Sequence, residues 1–268
     1  MSTQPPSEIS SLNQQLAALG VSLPDGFAEK ALAYLALLQK WNRTYNLTAI
    51  RDPDQMLTHH VLDALTILPA LDRVLAGEGE SNAETFSAVR AEPEQSRRIE
   101  ARSDAPSALR QAQGERPSKP SARVLDVGSG GGIPGLMLAL ARPTWQVTMV
   151  DAVQKKMAFV QQVIAELRIS NAQALAARVE SLRVEALEPP MRYDLAVSRA
   201  FSDLASFVAG SRHLLTANGV WAAMKGAVPE AEIAALPAEV AVRAVEVLTV
   251  PGLDARRHLI LLEHAHGF

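Results

Sequence analysis

The chain of 268 residues contains no cysteine. That absence excludes disulfides, thiolate metal sites, iron–sulfur clusters and cysteine nucleophiles, and it accords with a reducing compartment, so a cytoplasmic location is expected. Long apolar runs are missing too. No uninterrupted stretch approaches the ~20 residues a helix needs to cross a bilayer. The N-terminal MSTQPPSEIS lacks a basic region followed by an apolar one, so neither membrane insertion nor secretion is indicated. Net charge is also small, at −3. A nucleic-acid partner must therefore find a local basic surface, because the field of the whole molecule supplies none. What the chain has in quantity is apolar residues, 48% of the total, which at this length permits a full core in one large domain or two small ones.

Helices are expected over 8–19 and 25–44, where Phe27, Ala31, Leu35, Leu38 and Trp41 recur at helical spacing and Gly20 and Pro24 separate the two segments. A third should follow. Asp52 is a good N-cap with Pro53 at the first helical position, and Met56, Leu57, His60, Val61, Ala64, Leu65 and Leu68 form an apolar-leaning stripe that Pro69 bends or breaks. Residues 77–121 differ in character, with scattered Arg, Glu, Ser and Pro and too few large apolar side chains to offset chain entropy. This stretch reads as a disordered insertion. Between residues 90 and 123 it carries eight Lys/Arg against five Asp/Glu, a solvated linker by composition, with contact to RNA phosphates as the alternative.

From residue 123 apolar strand-like runs occur at 123–127, 146–150, 172–177, 193–198, 220–224, 241–250 and 258–263, with helical patterns separating the first five. Such alternation gives an α/β fold: a doubly wound, mostly parallel sheet covered on both faces. The last two runs, joined around Pro251 and Gly252, form an antiparallel edge. The expected organisation is a helical region at 1–76, the insertion at 77–121, and a sheet domain at 122–268. Ligands of open sheets sit beyond the carboxyl ends of the strands at the switch point, here just after 123–127.

There the chain reads VLDVGSGGGIPG, residues 124–135, with five glycines in eight positions. Gly128, Gly130 and Gly132 allow a sharp turn and bring a ligand close to bare amides, while a helix starting near Ile133 and Pro134 offers its positive end. GGGIPG also satisfies the G-x-G-x-x-G spacing of dinucleotide binders, so the glycines leave nicotinamide and adenosylmethionine both open. Asp126 favours the second, since a carboxylate suits a cationic amino acid moiety and repels a pyrophosphate. Asp151 ends the second strand, placed to accept ribose hydroxyls or, alternatively, to cap the helix over 154–168. Arg199 follows the fourth strand and Lys225 the fifth, so two cations are expected to converge on one crevice unless Asp126, Asp151 or Glu180 pairs with them.

Several stretches together carry a resemblance: LLQKWNRTYNLTAIRDPDQMLTHHVLDAL at 37–65, DVGSGGGIPG, RVE at 178–180, YDLAVSRAF, Met224-Lys225-Gly226 and RRHLILLE. In this order they resemble the bacterial small-subunit ribosomal RNA guanine-N7 methyltransferases, the RsmG or glucose-inhibited division protein B family. The likeness covers about 8–75 and 121–263 and does not require 77–121. It implies a class I S-adenosylmethionine-dependent methyltransferase with a Rossmann-like fold acting on 16S ribosomal RNA or the small ribosomal subunit. It also implies cofactor contacts from Gly128, Ile133, Val179, Glu180 and Arg199, with Asp151 as ribose partner by analogy with the wider fold. Asn42, Asn46, Arg51, His60, Asp63, Lys225, Arg257 and His258 would then handle RNA. For His60 the plain alternative is a histidine packed on a helix stripe, and for Arg257 a solvated strand-edge charge.

The chemistry is consistent with this. Guanine N7 has a free lone pair and no proton, so methyl transfer needs alignment and desolvation but no general base, which leaves Arg199 and Lys225 to position substrate. The chain lacks the Asn/Asp-Pro-Pro-aromatic tetrapeptide of exocyclic-amine methylation and, without cysteine, any attack on pyrimidine C6. No metal site, no membrane contact and a monomer are expected. The competing readings are a non-catalytic RNA-binding protein with a retained cofactor fold and an NAD-dependent oxidoreductase, the latter disfavoured because Tyr193 stands at the wrong end of the fourth strand.

Overall fold

The structure is a computed structural model that describes residues 6–78, 120–199 and 201–265. The expected disordered insertion falls almost wholly outside these residues. At the N-terminal end, α1 (Pro6–Ala18) leads to α2 (Phe27–Tyr45), which buries Phe27, Ala31, Tyr34, Leu35 and Leu38 along one stripe. Asn46 stops α2 in the left-handed region at φ 50°, its amide bonded to the Asn42 carbonyl. Asp52 caps α3 (Pro53–Met56) as expected, accepting the Gln55 amide at 3.0 Å.

The helix after the cap is not a simple α-helix. Its hydrogen-bond ladder widens into a π-helix over Leu57–Leu62, where the Asp63 amide reaches back to Thr58, before α4 (Asp63–Leu65) restores the normal turn. Pro69 breaks the run: α5 (Leu68–Ala76) starts afresh with the proline in its first turn, where its missing N–H costs nothing. Gly77, at φ 71°, closes α5.

The sheet has the order β3-β2-β1-β4-β5-β7-β6. Its strands are β1 (Ala122–Val127), β2 (Trp145–Asp151), β3 (Ala172–Ala176), β4 (Tyr193–Ser198), β5 (Leu215–Lys225), β6 (Val240–Leu248) and β7 (Arg257–His264). The first five are parallel, while β7 runs antiparallel between β5 and β6. Arg257 therefore starts an inner strand, not the edge. Helices α6 (Gly135–Ala141), α7 (Gln154–Glu166), α8 (Leu204–Ser211) and α9 (Glu230–Ala234) connect most of them. The helix expected between the third and fourth strands is absent. Two 3₁₀ turns, Val179–Ser181 and Val184–Ala186, take its place. Pro189 and Pro190 remove two amide donors from that segment, and Leu187 and Met191 turn inward as single anchors instead of forming a helical stripe.

Period-two burial divides the strands between two cores. Val124, Val147 and Met149 face one side with α1, α2, α6 and α7, whereas Leu125, Val127 and Val150 face α8. Tyr34, Leu38 and Leu65 of the helical region share the first core with Leu136, Val147 and Phe159 of the sheet region. The helical region is thus packed on the sheet, and Trp41 packs against Phe159 in a tilted arrangement with ring centroids 5.5 Å apart. This packing sets α2 and the π-helix over the carboxyl end of β1, where the chain leaves toward β2 on one side and β4 lies on the other.

Candidate active site

After β1 the glycine loop turns back under its own hydrogen bonds: the Gly128 and Ser129 amides reach Val150 O, and the Gly132 and Ile133 amides reach Ser129 O. Gly128, Gly130 and Gly132 have φ of 71°, 57° and 89°, conformations that L side chains rarely adopt. A Cβ on Gly132 would lie 2.5 Å from Leu136 Cδ1, and one on Gly135 would lie 2.5 Å from Met149 Cγ and 2.7 Å from Asp126 Oδ2. Gly135 thus serves close packing of α6 on β2, and Gly132 the packing of the loop against Leu136 of α6 and Val160 of α7. Gly128 differs, because a Cβ there would meet only Phe201 Cδ2, at 4.0 Å, across an open crevice.

Two crevices adjoin at this loop, and both are lined by Gly128 and Lys156. The first, about 380 Å³, includes Asp151, Ala177, Arg178, Val179, Glu180 and Phe201 among its walls. The second, about 190 Å³, is walled by Tyr34, Leu38, Thr48, His60, Ile133 and Arg199, with Gly130 and Gly131 in its floor. Asp151 is nearly buried, yet its carboxylate keeps acceptor capacity: Oδ2 takes the Gly130 amide at 3.1 Å and Oδ1 the Val153 amide at 2.8 Å. A carboxylate has about four lone-pair sites; with Lys156 Nζ as a third, long donor to Oδ2 at 3.5 Å, two are open to a ribose diol once that contact is given up. Val153, not Asp151, is the N-cap residue of α7.

Asp126 departs from expectation. It is 0% exposed; Oδ2 accepts the Gly135 amide at 2.8 Å and Oδ1 has no hydrogen-bond partner. It lines neither crevice. Burial pushes its pKa up to about 7, against the opposing Gly135 N–H and Arg199 charge. Enclosed beneath the loop, it holds the start of α6 and cannot itself repel a pyrophosphate.

Arg199 and Lys225 do not converge, and neither takes the partners anticipated for it. Arg199 turns toward the helical region, donating to His59 O at 2.7 Å and approaching His60 Nδ1 at 3.4 Å and Asp63 Oδ2 at 3.7 Å. Lys225 lies in a separate narrow cleft beside Phe201 and Phe207, paired with Glu232 at 2.8 Å. Asp63, almost fully buried, also faces Arg257 Nε at 3.3 Å. Desolvation raises the Asp63 pKa and the two guanidiniums oppose the rise. His60 is more than a core histidine: its Nε2 sits 3.1 Å from Thr48 Oγ1, and burial, reinforced by Arg199, lowers its pKa to about 4. With a neutral ring, Nδ1 accepts from Arg199 and Nε2–H donates to Thr48.

The other expected RNA-handling residues are less central. Asn42 is buried and orders the following loop, accepting the Thr48 amide at 2.9 Å and reaching Ile50 O at 3.5 Å. Asn46 and Arg51 are exposed, outside both crevices. His258 is buried and donates from Nδ1 to Gly226 O at 3.1 Å. The sequence reading missed Tyr34, whose hydroxyl donates to Gly131 O at 3.0 Å, together with Thr48, Lys156 and Phe201. Tyr34 lies on the same buried helical stripe as Leu38, a pattern that marks it as core and not as a neighbour of the loop. Among the described residues, no group of three or more His, Asp or Glu is arranged to hold a metal ion, and no helix is long and apolar enough to cross a membrane.

Comparison with known proteins gives this arrangement a context. The family model described as rRNA small subunit methyltransferase G matches residues 28–76 and 106–260, which narrows the unmatched internal stretch to 77–105. The chain is 43% identical over 251 residues to the ribosomal RNA small subunit methyltransferase G of Acidovorax sp. (strain JS42), covering 94% of this chain and 93% of that one. It is 44% identical to the protein of the same name from Burkholderia multivorans, over 91% and 87% of the two chains. Among solved structures, TrmN from Thermus thermophilus is similar at 23% identity and a TM-score of 0.45, over 55% of this chain and 45% of that one. By the extent of these sequence matches, the chain belongs to the rRNA small subunit methyltransferase G family.

Proposed function

We propose that this protein transfers a methyl group from S-adenosylmethionine to N7 of a guanine in small-subunit ribosomal RNA. The observation that carries the reading is the pair of crevices joined at Gly128 and Lys156. One offers a nearly buried carboxylate, Asp151, and the Val179–Glu180 edge to a nucleoside; the other offers backbone free of side chains at Gly130 and Gly131 and the polar Thr48, His60 and Arg199 to an amino acid. The open approach to Gly128, which a Cβ would obstruct, fits a ligand passing between them. Bound there, S-adenosylmethionine supplies an electrophilic methyl carbon on a positive sulfur.

The chain's own contribution is alignment. Guanine N7 attacks with its lone pair, the carbon–sulfur bond breaks, and no proton moves. His60, with a pKa of about 4, is neutral at physiological pH and is not poised as a general base. Holding N7 and the methyl carbon in line lowers the barrier by several kcal/mol, roughly 7 at the lower end of measured intramolecular effects. Because N7 becomes positive, Arg199 and Arg257, both anchored by Asp63, serve O6 or a phosphate and stay clear of N7 itself. The same reading makes the protein a cytoplasmic monomer that meets rRNA or the small subunit directly.

The test is labelled methyl transfer to small subunits from cells lacking the gene, followed by nuclease digestion and mass spectrometry. N7-methylguanosine is the expected product. Methyl groups on an exocyclic amine or a ribose would overturn the assignment, and tight cofactor binding with no transfer would favour an inert RNA-binding protein.

A further inference from the structure

The two crevices meet at Lys156, in the first turn of α7. Its ammonium stands 3.5 Å from Asp151 Oδ2, and its side chain is 31% exposed. This ion pair is long, and Asp151 does not depend on it, being held already by the Gly130 and Val153 amides at 3.1 and 2.8 Å. Lys156 is thus a cation with a weak commitment at the boundary between two cavities. The other cations in the walls are differently placed. Arg199 is turned to Asp63, His59 O and His60, and Arg178 lines the larger crevice only.

The amino acid half of S-adenosylmethionine carries a carboxylate as well as an ammonium. In the smaller crevice Thr48, His60 and Arg199 stand among the apolar Leu38, Leu47 and Ile133, and the Arg199 charge is already engaged by Asp63 and His59 O. A buried carboxylate is strongly disfavoured unless a cation and hydrogen-bond donors face it. Lysine suits such a role, because its flexible stem lets the ammonium change partners without moving the helix.

We infer that Lys156 binds the α-carboxylate of the cofactor, exchanging its long contact with Asp151 for that group and thereby fixing which way round the molecule lies. The adenosine is then directed to Asp151 and the amino acid to Thr48 and His60. This rests on the cofactor reading of the site given above.

The test uses the full chain, isothermal titration, and two compounds: S-adenosylmethionine and its decarboxylated analogue, which lacks only the carboxylate. The unsubstituted protein prefers S-adenosylmethionine by about tenfold or more, the scale of a charge-assisted contact. Lys156→Met loses that preference by weakening S-adenosylmethionine alone, with the analogue bound as before or better. Lys156→Arg, which keeps the charge, keeps the preference. Equal weakening of both compounds in Lys156→Met would show that the lysine acts through Asp151 or the fold and would overturn the inference, as would an unchanged preference. Failure of the unsubstituted protein to bind either compound would instead overturn the cofactor reading, and the inference with it.

Discussion

Asp126 and His60 are both buried, and their titrations act on stability in opposite directions. The folded-state pKa of Asp126 is raised from 3.8 to about 7, so between these values the native protein keeps a proton that the unfolded chain releases. Its contribution to stability is therefore full at acidic pH and declines as pH rises toward 7. His60 is lowered from 6.5 to about 4, so stability declines as pH falls through that window because the unfolded imidazole takes up a proton first. Asp126→Asn, fixed in the neutral form, should gain on the parent in melting temperature progressively from pH 4 to pH 7. A difference that does not vary with pH would show that the carboxylate is not titrating in the fold. The acidic residue of the loop was legible in the sequence, but its orientation was not. Whether a side chain at a strand end faces the crevice or the underside of the following helix depends on how closely Gly135 lets α6 approach.

The π-helix is the element that ties the helical region to the site. By inserting one extra residue in a turn it presents the His59 carbonyl and the His60 ring to Arg199, while Asp63 lies between Arg199 and Arg257. π-Helical turns are uncommon and concentrate at functional sites. We expect Asp63→Asn to weaken binding of a small-subunit rRNA fragment by about tenfold, since the two partly exposed guanidiniums lose the buried carboxylate that orients them. The double variant Asp63→Asn with Arg257→Ala should bind little worse than Arg257→Ala alone, because the two losses share one contact. Simple addition of the two losses in a filter-binding assay would refute the coupling. The Asp52 cap, the helical stripe and the break at Pro69 could all be read from residue spacing. The π segment could not, because one extra residue in a turn leaves the apolar stripe almost unchanged. The absent helix between β3 and β4 has a similar cause: Leu182, Val184, Leu187 and Met191 look periodic, but each anchors separately in the core.

For the molecule as a whole, the alternation of strands and helices made the parallel sheet and its antiparallel end legible, and the glycine loop located the ligand end. What stayed hidden came from the helical region folding back. Tyr34, Thr48 and His60 reach the loop only because α2 shares a core with Phe159 and Leu136, contacts between segments some hundred residues apart that no local pattern encodes. We propose that 1–76 and 122–268 act as one body around the cofactor, with the intervening stretch dispensable to it. The most direct measurement is a crystal structure with S-adenosylhomocysteine bound. The account predicts adenosine in the crevice of Asp151 and Val179, its ribose hydroxyls on the Asp151 carboxylate, and the amino acid tail beside Tyr34, Thr48 and Lys156. The compound lying the other way round, or bound elsewhere with this pair of crevices left to solvent, would contradict it.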